Sequence, residues 1–171
     1  MARLSQIQLT FVPADDRLLL RISTDEKAEL RFWLTRRFVR LLLPVLAGMS
    51  LHAATSATVQ SAEARAAIAD FQRDHALANA DFETQFQDDA TIFPLGENPV
   101  LLERIQTRSN DVGAPVLCLH PANGSGIDLA LETQLLHSFK SLLSDAIGKA
   151  DWNLDTSALH PVATSTPSVL N

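Results

Sequence analysis

"RLLLRISTDEKAELRFWLTRRFVRLLL", Arg17 to Leu43, is the stretch on which the fold turns. Two runs of strand-forming residues, Leu18–Ser23 and Ala28–Leu34, flank "TDEK", a turn composition, so the stretch opens as a β-hairpin. From Thr35, whose hydroxyl suits an N-cap, the period changes: Phe38, Val39, Leu42, Val45, Leu46 and Met49 recur at helical spacing. Upstream, Ile7–Val12 and the turn "PADD" add a strand, so residues 1–50 read as a three-stranded antiparallel meander followed by a helix. Pro44 is expected to kink that helix or end its first half, because it lacks the N–H the helix needs.

The plan recurs downstream. "LLERIQTRS", "PVLCLHP" and "GIDLALE" read as three strands, and "TQLLHSFKSLLSDAIGK" as a helix closed by Gly148. A shift of 97 residues lays Leu20 on Leu117, Ile22 on Leu119, Phe32 on Leu129 and Leu34 on Leu131, and continues without a gap to Phe38 on Leu135 and Leu46 on Leu143. The expected class is α+β: a mainly antiparallel sheet from two pseudo-repeated meander-helix units, with helices on one face. Residues 57–79 read as an Ala-rich bridging helix with Ala64, Ile68, Phe71 and His75 on one stripe, "FETQFQ" as a possible strand, and "DDATIFPLGENP" as a loop. One domain over residues 1–154 follows, with the second unit at 82–150 and a flexible Ser/Thr/Pro-rich tail at 155–171.

"ANG", Ala122 to Gly124, suits a hairpin turn with Gly124 in the left-handed conformation, which pairs Leu119 with Ile127 and Leu117 with Leu129. Moved back into the first unit, that register sets Ile22 opposite Leu30 and Leu20 opposite Phe32. The outer face then carries Arg17, Leu19, Arg21, Arg31 and Trp33, with Arg21 directly across from Arg31. Like charges so placed repel, and the pair calls for an anion, a carboxylate or much water. One reading is a half-exposed sheet face neutralised by Glu29 and Asp16; the other is an Arg/Trp platform for a partner protein, for self-association or for nucleic acid. In the second unit the same face holds Ala114, Val116, Cys118, Asp128 and Ala130, and is expected to be covered. "TRRFVR" sets Arg36, Arg37 and Arg40 at a helix start, where the dipole disfavours cations and favours an anionic neighbour.

The 171 residues carry a net charge of −6, spread unevenly: residues 1–50 hold eight Arg/Lys against five Asp/Glu. An acidic whole weighs against nucleic acid as the principal partner. The apolar run Leu41–Leu51 is too short for a bilayer span, which needs roughly 20 residues. "SLHAATSA" has the small residues of a cleavage region, but two strand-like segments precede it, unlike a secretory signal. The single Cys118 can form no internal disulfide and suits a reducing, cytoplasmic setting. Beside it, His120 lies two residues along the strand and Asp128 across it, a thiol, imidazole and carboxylate that fall short of a metal ligand set. "ANGSG" lacks the Lys-Ser/Thr of a phosphate loop, and Asp81, Glu83, Asp88 and Asp89 read as a solvated acidic loop.

At "LLLRISTDEKAELRFWLTRRFVRLLLP" the chain resembles a group of small proteobacterial proteins sharing an "RLWLTRR"-like segment, which implies a bacterial cytosolic origin and no activity. The doubled sheet-plus-helix plan is similar to that of Whirly and Pur-type single-strand-binding proteins, at the level of fold plan only. The expected function is therefore a non-enzymatic interaction or assembly protein, oligomeric, without cofactor or metal. Its contact surface is expected at Arg17, Arg21, Arg31, Trp33, Arg36, Arg37 and Arg40. Single-stranded nucleic-acid binding is the alternative.

Overall fold

Hairpin pairing organises the N-terminal third. In the computed structural model, which describes residues 4–55 and 85–159, β1 (Leu4–Val12), β2 (Arg17–Thr24) and β3 (Glu29–Thr35) form an antiparallel meander. The turn after β1 has Asp16 at φ 47°, and the next has Lys27 at φ 59°. The register is the one the alternation demands, with Leu20 opposite Phe32, Ile22 opposite Leu30 and Arg21 opposite Arg31. The inward residues Leu18, Leu20, Ile22, Phe32 and Leu34 are fully buried. A two-residue strand, β4 (Val100–Leu101), joins the far edge of β3 in parallel, giving the order β1-β2-β3-β4.

Thr35 accepts the Phe38 N–H on its Oγ1 at 3.1 Å, and α1 runs from Arg36 to Thr55. Pro44 does not end it. The proline lies on the exposed side, where the Arg40 carbonyl, deprived of its helical donor, can be met by water.

The second unit is a separate sheet, β5 (Arg104–Ser109), β6 (Pro115–His120) and β7 (Ile127–Ala130), followed by α2 (Thr133–Ala150). Leu119 pairs with Ile127 and Leu117 with Leu129, and Gly124 takes φ 93° in the turn. Gly126 is required for another reason: a Cβ there would stand 2.1 Å from the Leu119 carbonyl oxygen. The helices begin at Arg36 and Thr133, 97 positions apart. Together the two sheets and two helices make an α+β fold, mostly antiparallel.

Two boundaries differ from the sequence-based expectation. α2 passes through Gly148 and is closed by Asp151 at φ 52°, whose N–H is shared by the Ile147 and Gly148 carbonyls; aspartate tolerates the left-handed region well enough to do a glycine's work. The chain assigned to a tail from residue 155 includes a 3-10 turn, Ser157–Leu159, whose Leu159 is fully buried against α1 and α2. Residues 160–171 of that segment and the bridging helix at 57–79 lie outside the described residues, as do residues 82–84 of "FETQFQ"; Gln85–Gln87 form no strand.

One core joins the halves. Leu117, Leu119 and Leu129 from the second sheet belong to the same buried cluster as Leu20, Phe32 and Leu34 from the first. α2 packs against β1, and α1 against β3, β5, β6 and α2, so each helix touches the other unit's sheet. Trp152 locks the end of α2 to the first hairpin, its Nε1–H donating to Asp16 Oδ1 at 2.7 Å and its ring meeting Phe11 edge to face.

Candidate functional site

The outer face of the first sheet resolves the Arg21/Arg31 clash with a carboxylate. Glu29 shares the parity of Arg31 on β3, so its side chain falls on the same face, and only 1% of it is exposed. Arg21 grips it with two bonds, Nε to Oε1 at 2.7 Å and Nη2 to Oε2 at 3.1 Å, while Arg31 Nε reaches Oε1 at 2.7 Å. Burial by itself would raise the Glu29 pKa; the hydrogen bonds from Arg21 and Arg31 outweigh it and hold the carboxyl below its ordinary range. Asp16, the other acid expected to neutralise this face, is engaged by Trp152 instead.

Over this face runs a strap, residues 85–99. The Phe86 ring lies 4.2 Å from the Arg21 guanidinium carbon and Phe93 4.8 Å from that of Arg31, both cation–π contacts. Asp88 pairs with Arg21, and the Glu97 carbonyl accepts from Arg31 Nη1 at 3.1 Å. Gln6 on β1 ties the near end, accepting the Gln87 N–H at 3.0 Å. Trp33, half-buried, lies opposite Leu101, and its carbonyl accepts the Leu102 N–H. Arg17 sits half-buried at the start of β2, opposite Thr35. The sequence-based site residues Arg21 and Arg31 are thus already engaged inside the chain, by Glu29, Phe86, Asp88 and Phe93. None of those four was singled out as a site residue, although the parity of Glu29 and the demand of the arginine pair for a carboxylate pointed to the first.

Arg36, Arg37 and Arg40 lie elsewhere. All three are exposed, with no side-chain hydrogen bond or ion pair among the described residues. They line a groove of about 720 Å³ between the start of α1 and the chain after α2, whose apolar lining comes from Leu43, Pro44, Leu154 and Ala158. Asp155 is the one acid lining it among the described residues, and it is turned to its own turn: the Ser157 side chain and backbone N–H, the latter at 2.9 Å, hold its carboxyl below the ordinary range. Leu41, half exposed, adds to the apolar surface at this end of α1.

The second sheet's outer face is covered at Val116 and Cys118, as expected, but open at Asp128 and Ala130 on the edge strand. Asp128 bonds His120 Nε2 at 2.9 Å and Arg108 at 3.0 Å, and hydrogen bonds from Arg108 first, then His120, lower its pKa. Cys118 beneath is buried, and burial above all pushes its thiol pKa up, which leaves it protonated and a poor nucleophile at neutral pH. Among the described residues no three His, Cys, Asp or Glu side chains converge to hold a metal, and no helix is long and apolar enough to cross a membrane. No family model, curated protein or solved structure matches the chain.

Proposed function

We propose that this chain is a non-enzymatic interaction protein that assembles through the arginine-lined groove at the start of α1, with an acidic segment of a second copy or of another protein as its occupant. One observation carries the reading: three arginines, none of them paired among the described residues, line a single groove with an aliphatic floor. Arginine is favoured at such contacts because its planar fork engages carboxylates two bonds at a time while its stem packs on apolar neighbours. The N-terminal dipole of α1 adds to the attraction for an anion. Charge distribution favours a protein partner, including a second copy, since the chain is acidic beyond its basic first 50 residues. Leu43, Pro44 and Leu154 offer apolar contact rather than an aromatic stacking surface, which favours a peptide over unstacked bases.

Light scattering and fluorescence anisotropy with a labelled Glu/Leu peptide test this, on wild type and on Arg37→Glu/Arg40→Glu. The expected result is self-association or peptide binding by the wild type and its loss in the variant, with the melting temperature unchanged. Equal binding by both proteins sinks the proposal. Tight binding of oligo-dT with steep salt dependence moves the reading to nucleic acid.

A further inference from the structure

The strap over the first sheet offers Arg21 and Arg31 the same pair of groups twice. Each guanidinium, after bonding Glu29, retains free donors and a flat face; the strap gives each of them one oxygen acceptor and one aromatic ring. Its own attachment is thin. Between Gln85 and Pro99 no residue is fully buried: Leu95 rests half-buried against the core, Ile92 is 51% exposed, the Asp88 side chain is 75% exposed, and the Lys27–Asp89 pair is mostly exposed as well. The backbone ties are the Thr91 and Ile92 N–H groups on one carbonyl, that of Lys27, and the Glu29 N–H on the Ile92 carbonyl, before β4 begins. The face beneath does not depend on the strap for its shape, because the β1-β2-β3 ladder and the Glu29 pairs hold it.

We infer that this face is a second binding site, separate from the groove on α1, for an extended acidic peptide bearing aromatic residues, and that residues 85–99 fill it in the isolated chain as an internal stand-in. A segment with a Phe-x-Asp element, as in Phe86 to Asp88, and a second aromatic further on reproduces the two ring contacts and the acidic partner that the strap offers the arginines. It lies beside the start of β3, ahead of the β4 pairing, as the strap does through the parallel bridge of Ile92 with Ala28. An occupant in cis lowers the apparent affinity for one in trans by the fraction of molecules whose strap is lifted.

A fluorescent peptide of residues 85–99, added to the full-length protein, is the test. Against Phe86→Ala/Asp88→Ala, whose strap is weakened, it should bind about tenfold more tightly than against wild type. A peptide lacking both phenylalanines should lose that gain, as should addition of Arg31→Gln to the variant. In wild type, the Thr91 and Ile92 amides should exchange with solvent well before those of β2, a readout that holds even if the double variant fails to fold. Equal peptide affinity for the wild type and a folded variant, or exchange at Ile92 only with global unfolding, overturns the inference.

Discussion

Glu29 is the residue on which the first sheet's outer face depends. Its carboxylate is buried beneath two arginines that would otherwise face each other across the strand pair. Removing the charge while keeping the shape, as in Glu29→Gln, leaves Arg31 without its counter-ion and Arg21 with Asp88 alone, and should cost about 2–3 kcal/mol, toward the low end for a broken buried pair because the arginines are partly wet. Urea unfolding measures it. The pH dependence has a definite sign. The folded-state pKa lies below the unfolded one, so this carboxylate stabilises the fold above the unfolded value and loses that contribution as pH falls through the folded one. Acidification into the low carboxylate range should therefore destabilise wild type more than Glu29→Gln, as thermal melts across that range would show; parallel curves would assign the acid sensitivity elsewhere. Gly126 is the corresponding sensitive point of the second sheet, where both nearest neighbours of an added Cβ are backbone atoms that cannot step aside. Gly126→Ala should cost about 2 kcal/mol or more, or shift the β6-β7 register.

At the scale of elements, the ordered chain reaches further than its composition suggests. "TSALHP" has the look of a tail, yet the turn at Ser157–Leu159 sends one leucine into the core between the helices. Leu159→Ala should cost about 2–4 kcal/mol by the loss of buried methyl groups and the cavity left behind, measured by denaturant unfolding. A cost within experimental error would mean that the turn only rests on the surface. The strap behaves in the opposite way. Two cation–π contacts, the pairs of Asp88 and Asp89, a few backbone bonds and the half-buried Leu95 hold it, with no fully buried side chain, so it should open locally before the sheet beneath it does.

The whole molecule has one core built by two units, with each helix touching the other unit's sheet. Unfolding should accordingly be a single transition, and Phe32→Ala in the first unit and Leu117→Ala in the second should each lower that same transition, by about 3–4 kcal/mol. Calorimetry with tryptophan fluorescence and circular dichroism as parallel probes checks it; two separable transitions would show that the units fold independently.

What the sequence by itself determined was local. Alternation in Leu18–Ile22 and Leu30–Leu34, the turn at Gly124 and the switch of period after Thr35 set the strand registers, the inward face and the start of α1, because each of these depends on residues within a few positions of one another. Even the need for a carboxylate between Arg21 and Arg31 was legible there. Which acid and which rings answered it was decided by the tertiary structure, since Phe86 and Asp88 meet Arg21 across more than sixty positions of chain. A strand's outer face carries no local mark of whether water or a distant segment will cover it: arginine and tryptophan suit both, and only the path of the chain chooses. For the same reason the two clusters of arginine looked alike as sequence. The fold alone separated Arg21 and Arg31, covered by the strap, from Arg36, Arg37 and Arg40, exposed along the groove.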